Sequence, residues 1–186
     1  LGLQHAHRGQ ASRRRRWRDG WRHLRFLFLY SPRWLFLYPG VGLTVLGLIA
    51  GLWLLPGPRV VGSATLDVHS LLYAALAVQI GFQAINFAVF SKVFAISEGL
   101  LPEDPRFMKL FRIITLEVGL AVGGVLIGIG LVGSIYALGT WSQWSFSPLD
   151  TSKMLRLVIP AVTSLALGCQ IVLSSFFLSV LGLRRK

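Results

Sequence analysis

The residues in this sequence whose types and spacing could do chemistry are arginines and aromatic residues between positions 13 and 34. In a helix, an apolar line recurs at i, i+4, i+7 and i+11 and consists of Trp17, Trp21, Leu24 and Phe28. Offset from it by one residue is a line of guanidinium groups: Arg18, Arg22 and Arg25. Rings bordered by such charges are typical of a helix lying in a membrane interface. The pattern predicts an interfacial amphipathic helix over residues 13–33, broken by Pro32 where the chain enters the bilayer.

Two other interpretations fit parts of this segment. The run Arg13–Arg16 could be only a positive flank that fixes cytoplasmic orientation. Such a flank does not require three further arginines beside two tryptophans. A nucleic-acid partner also suits arginines with aromatics, but it is disfavoured because the adjoining sequence spans a membrane.

The composition indicates an integral membrane protein, since 54% of the 186 residues are hydrophobic and the mean hydropathy is +0.64. The net charge of +12 is concentrated before the first apolar run. It favours membrane lipids with anionic head groups, or phosphate-bearing substrates, as partners. The sole cysteine, Cys169, can form no intrachain disulfide.

Apolar runs divide the remaining chain into four predicted spans, at about 34–55, 68–95, 113–138 and 154–183. Pro56-Gly57-Pro58 ends the first, and a charged loop between Lys92 and Arg112 separates the second from the third. The fold class is therefore an all-α membrane protein, an interfacial amphipathic helix followed by a four-helix transmembrane bundle at 34–186. Residues 1–12 are polar and without periodicity, and the chain opens with Leu1, so we expect a linker or the remnant of a missing domain.

The positive charges predict the orientation of the spans. Sixteen of the 19 lysines and arginines fall on the side of both termini and the middle loop. This bias places both termini in the cytoplasm. The aromatic residues agree, because Trp34 would mark the inner interface of the first span and Trp53 the outer one.

Polar residues within the spans need partners. Gln79, Gln83 and Asn86 share a face of the second span at i, i+4 and i+7. Interhelical hydrogen bonds are the favoured explanation, and a substrate groove is the alternative. Glu117, just inside the third span, is expected to pair with Arg112 or Lys109 rather than to relay protons.

Pairs of glycines four residues apart let helices approach closely: Gly47/Gly51, Gly119/Gly123 and Gly124/Gly128. Packing within the bundle explains them as well as a homo-oligomer does.

Catalytic constellations are lacking in the sequence. His5 with His7, and Asp19 with His23, provide too few ligands for a metal site. There is no Asp-x-Asp, no glycine-rich phosphate loop and no carboxylate pair in a soluble segment. The sequence therefore predicts neither catalytic nor metal-binding residues, and no glycosyl, acyl or phosphoryl transfer by this chain alone.

Two stretches, Trp17–Phe26 and Tyr30–Leu35, resemble the junction between the catalytic and membrane domains of bacterial family 2 glycosyltransferases. The sequences concerned are WRDGWRHLRF and YSPRWL, and the enzymes are similar to dolichol-phosphate glucose and mannose synthases. The resemblance is specific over about twenty residues, and over the later spans it is one of number, polarity and topology.

The resemblance implies a parent enzyme in the bacterial inner membrane that moves a sugar from a nucleotide-sugar to polyprenyl phosphate. Its soluble domain, absent here, would hold an Asp-x-Asp motif and a divalent metal, Mg or Mn. This chain would be the membrane anchor and the lipid-phosphate platform. Arg18, Arg22, Arg25 and Arg33 would neutralise the acceptor phosphate, while Trp17, Trp21 and Phe28 hold the helix at that depth.

Two alternatives remain open. One is a non-enzymatic four-span accessory or flippase-like protein for lipid-linked sugars, which the polar face of the second span favours. The other is a plain anchor for an unrelated soluble domain.

Overall fold

Four long helices form the protein in a computed structural model that describes residues 33–99, 101, 116–143 and 151–183. Helix α1 is Tyr38–Leu54, extended at its start by a π-helical turn at Arg33–Leu37. The other three are α2, Val68–Ser97, α3, Leu116–Gln143, and α4, Thr151–Leu183. Each of the four is long and apolar enough to cross a membrane, α1 together with part of the preceding turn as the 21-residue stretch Trp34–Leu54.

The predicted four-helix membrane fold is confirmed. Helix α3 continues to Gln143, five residues beyond the predicted end of the third span at about 138. The interfacial helix predicted at 13–33 lies outside the described residues except for its last residue, as does most of the charged loop after α2.

A short β-hairpin, which the sequence did not predict, connects α1 and α2. Strand β1, Arg59–Val61, pairs antiparallel with β2, Ala64–Leu66, in the register Arg59 to Leu66. The turn contains Gly62 with φ of +61°, a conformation that residues with a Cβ adopt rarely. Strands of three residues are too short for alternation of polar and apolar residues to reveal them.

The helices pack as two antiparallel pairs, α1 with α2 and α3 with α4, and contact between α2 and α4 joins the pairs. The order across the bundle is therefore α1, α2, α4, α3. We call the end with the β-hairpin the hairpin end, and the opposite end, where α1 begins, the Trp34 end. Helices α2 and α4 both start at the hairpin end, so they run parallel.

Glycines provide the close approach within each pair. A Cβ added to Gly81 of α2 would lie 2.6 Å from the backbone nitrogen of Thr44 in α1. In the other pair, a Cβ on Gly123 of α3 would lie 2.8 Å from the carbonyl oxygen of Gly168 in α4. Gly124 and Gly128 differ, since a Cβ there would meet nothing within 4 Å in the part of the chain that is described. One predicted glycine pair of α3 is thus packed inside the bundle, and the other faces outward.

Candidate functional site

Aromatic residues lie at the start of the first span, at the Trp34 end. Trp34 is 75% exposed, and its ring packs on Tyr38 with 4.9 Å between centroids. The backbone of Arg33 begins the helical turn that runs directly into α1. An amphipathic ring exposed at the start of an apolar helix is characteristic of the membrane interface. The predicted residues Trp17, Arg18, Trp21, Arg22, Arg25 and Phe28, and the Arg33 side chain, lie outside the described part of the structure.

Two residues after Trp34, the start of α1 contacts α2 through aromatic rings. Phe36 meets Phe87 edge-on, with 4.6 Å between centroids. This contact sets the depth of α2 relative to Trp34. Asn86 precedes Phe87 by one residue, so it lies close to the level at which α1 enters the bilayer.

The three predicted amides of α2 have different surroundings. Nε2 of Gln79 donates to the carbonyl oxygen of Thr163 in α4 at 3.1 Å, so this side chain bridges two helices. Asn86 is half-buried and Gln83 is exposed. The polar face of α2 is therefore hydrogen-bonded to α4 at the middle of the span. Towards the Trp34 end, its side chains are partly or largely exposed.

Glu117 lies exposed in the first turn of α3. A carboxylate there is favoured by the partial positive charge of the helix N-terminus. The partners predicted for it, Arg112 and Lys109, are not among the described residues.

Sequence reasoning missed Gln170 of α4. Its Oε1 is buried and has no hydrogen-bond partner among the residues that the structure describes. Gln170 lies seven residues after Thr163 and seven before Phe177, whose ring packs on Phe90 of α2 at 4.7 Å. Because that spacing repeats every two helical turns, Gln170 belongs to the face of α4 that meets α2. The heptad series Thr163, Gln170, Phe177 was the signal available in the sequence.

A second missed feature is a polar network at the hairpin end. Arg156 of α4 forms an ion pair with Asp67, the residue before α2, and donates to the carbonyl oxygen of Leu54 in α1 at 2.6 Å. Ser152 also donates to Asp67, at 3.4 Å. The guanidinium satisfies one of the last carbonyls of α1, and the carboxylate lies at the N-terminus of α2, both favoured by the helix dipoles. The network fastens three helices together at one end.

At the hairpin end, Arg59 and Trp53 form a contact that is typical of a membrane interface. The guanidinium of Arg59 lies 5.8 Å from the ring centroid of Trp53, and its Nε donates to the Trp53 carbonyl oxygen at 3.3 Å. An arginine on a tryptophan face is stable where an apolar ring meets polar surroundings.

No three His, Cys, Asp or Glu side chains converge within the described ranges. These residues do not fit the divalent metal that the resemblance assigns to a separate catalytic domain.

Comparison with known proteins identifies the family of this four-helix arrangement. Residues 89–182, about half of the chain, match the family described as "Glycosyltransferase family 2 C-terminal transmembrane region". The chain is also 34% identical over 166 residues to the low-salt glycan biosynthesis hexosyltransferase Agl6 of Haloferax volcanii. That match covers 88% of this chain and 38% of the relative, so the chain spans well under half of the relative's length. No solved structure matches the chain. The family match shows that this four-helix protein belongs to the C-terminal transmembrane regions of family 2 glycosyltransferases.

Proposed function

We propose that this chain is the membrane anchor and lipid-phosphate platform of a hexosyltransferase similar to dolichol-phosphate sugar synthases. The enzyme would move a sugar from a nucleotide-sugar to polyprenyl phosphate, using a metal-dependent catalytic domain not contained in these 186 residues. It would act in the synthesis of a cell-envelope glycan, in the cytoplasmic membrane of a bacterium or archaeon.

The observation that carries this proposal is the continuity of Arg33, Trp34 and α1. The helix starts at Arg33 without an intervening loop, and Trp34 lies exposed one residue later. The arginine and tryptophan lines at 17–28 end five residues before Arg33 in the sequence. This short separation supports our proposal that they lie at the same interface. A phosphate at that level would meet guanidinium groups, which bind phosphate oxygens with two parallel hydrogen bonds.

The charge distribution supports cytoplasmic termini. The described cations of the hairpin end are Arg59, Lys153 and Arg156, while the N-terminal nine arginines precede the Trp34 end. With positive charge retained on the cytoplasmic side, the Trp34 end faces the compartment that holds nucleotide-sugars.

Acceptor kinetics of the full-length gene product test this function. Arg18→Gln, Arg22→Gln and Arg25→Gln together should raise the KM for polyprenyl phosphate roughly tenfold or more, because each charge-assisted bond contributes about 1.5 kcal/mol or more. The KM for the nucleotide-sugar should not change. Unchanged acceptor kinetics would refute the platform, and a full-length product without transferase activity would favour the accessory or flippase-like alternative.

A further inference from the structure

The open part of the polar face lies between two anchored contacts of α2 with α4. On the hairpin side, Gln79 bonds to the Thr163 carbonyl oxygen, and on the other side Phe90 packs on Phe177. Between these contacts, α2 presents Asn86 and α4 presents Gln170, each seven residues beyond the hydrogen-bonded pair. Parallel helices advance at the same rise per residue, so the two amides face each other at one level.

Gln83 widens this polar region to one side. It lies on the same face of α2 as Asn86, one turn deeper, and its side chain is exposed. The described large side chains around it on the outer surface of α2, Leu76, Ile80 and Phe87, are exposed and apolar. A ligand could therefore reach Gln83 and the half-buried Asn86 sideways from the lipid, and the Gln170 side chain, whose Oε1 is buried, would rotate to meet it.

The amides define what such a ligand must carry. A buried carbonyl oxygen without a donor is costly in an apolar environment, and Gln170 Oε1 is such an atom among the described residues. A hydroxyl group can donate to it and can also accept from the amide N–H groups of Asn86 and Gln83. An ionised phosphate accepts hydrogen bonds and offers the Gln170 oxygen no comparable donor. A neutral ligand with several hydroxyl groups fits these amides better than a phosphate.

The depth of the amides fits the head group of a lipid. Asn86 neighbours Phe87, which packs on Phe36, two residues inside Trp34. Two residues of helix correspond to about 3 Å, so Asn86 lies at the inner edge of the hydrocarbon region. Gln83 lies one turn deeper, about 5 Å.

We infer that Gln83, Asn86 and Gln170 form a binding site, the amide site, for the hexosyl head group of a membrane lipid. The inference rests on the proposed function in one respect, that a hexosyl lipid is the enzyme's product. The site would hold the sugar after transfer, beside the interface at which the acceptor phosphate binds. Gln79, already bonded to α4, would not contact the ligand.

Binding of a phosphate-free hexosyl lipid tests the site. The full chain is placed in phosphatidylcholine nanodiscs and titrated with monoglucosyl diacylglycerol, with diacylglycerol as the sugar-free probe, and bound lipid is counted by native mass spectrometry. The chain should bind the glucosyl lipid roughly tenfold more tightly than diacylglycerol, the effect of one net hydrogen bond. Gln170→Leu and, independently, Asn86→Leu should abolish the preference, while Gln79→Leu should keep it.

The outcomes separate this inference from the proposed function. Because the probe carries no phosphate, the Arg18, Arg22 and Arg25 triple variant should bind it as the unaltered chain does. A chain without preference for the glucosyl lipid, or a preference that survives both Gln170→Leu and Asn86→Leu, would overturn the inference. A loss of oligomers in Gln170→Leu would overturn it as well, because the amides would then bridge two copies of the chain.

Discussion

Arg156 forms an ion pair with Asp67 although 89 residues separate them in the sequence. Their side chains are 13% and 31% exposed, so the pair is shielded from water on most sides. Through the additional bond from Arg156 to the Leu54 carbonyl oxygen, three of the four helices meet at one guanidinium. The hairpin end is thus fixed, while the amides lie nearer the Trp34 end.

Replacing Arg156 should destabilise the bundle. Arg156→Leu leaves the Asp67 carboxylate and the Leu54 carbonyl without this donor, and we expect a loss of about 2 kcal/mol, below the cost of breaking a fully buried pair because Asp67 is partly exposed. Unfolding in sodium dodecyl sulfate, followed by circular dichroism, measures it. The matched control is Arg59→Leu, whose exposed bond to Trp53 should contribute under about 1 kcal/mol. Equal losses in the two variants would contradict the role of the network.

Adding a methyl group at Gly81 should force α1 and α2 apart. The new Cβ would lie 2.4 Å from Thr44 Oγ1 and 2.6 Å from the Gly40 carbonyl oxygen, and backbone cannot give way as a flexible side chain can. We expect Gly81→Ala to cost about 1–3 kcal/mol in the same unfolding measurement. Gly124→Ala meets nothing within 4 Å among the described residues and should be neutral or slightly stabilising. A stable Gly81→Ala variant would show that the pair does not pack this closely.

Two glutamines of the polar region should respond differently to the same change. Gln79→Leu removes the bond to Thr163 and should cost about 0.5–1 kcal/mol, the usual contribution of an interhelical bond in membranes. Gln170→Leu removes an oxygen that has no partner among the described residues, so the free energy of unfolding should not fall. Both are measured by unfolding in the absence of added glycolipid. A large loss in Gln170→Leu would mean that this side chain bonds within the protein.

Cysteine labelling tests the orientation. In a Cys169→Ser background, Gly57→Cys lies at the hairpin end and Glu98→Cys just beyond α2 at the Trp34 end. A maleimide that cannot cross membranes should label Gly57→Cys in intact cells and Glu98→Cys only after permeabilisation. The reverse pattern would place the termini outside and remove the Trp34 end from the nucleotide-sugar.

The number and order of the helices followed from the sequence because each apolar run is long enough for a span and breaks such as Pro56-Gly57-Pro58 separate them. The rotation of each helix about its own axis could not be predicted from the sequence. Gly119/Gly123 and Gly124/Gly128 have the same spacing, yet among the described residues only the first pair packs on α4, since the two pairs lie on different sides of α3.

Contacts between distant segments could not be predicted from the sequence, for a related reason. The ion pair of Asp67 with Arg156 depends on the register of α2 against α4, and so does the Gln170 oxygen, which has no partner among the described residues. Neither segment alone fixes that register. The amides of α2 were visible as a polar face, but the structure was needed to show that Gln79 bonds to Thr163 on α4.

Binding of polyprenyl phosphate to the chain itself tests the central claim, that this membrane region holds the acceptor phosphate. The chain in phosphatidylcholine nanodiscs is titrated with undecaprenyl phosphate, beside two variants that each lose three positive charges. One carries Arg18→Gln, Arg22→Gln and Arg25→Gln, and the other carries Arg184→Gln, Arg185→Gln and Lys186→Gln. We predict roughly tenfold or greater weakening in the first variant and little change in the second. Equal weakening in both variants would show that binding depends on net charge alone. Unchanged binding in the first variant would contradict the account.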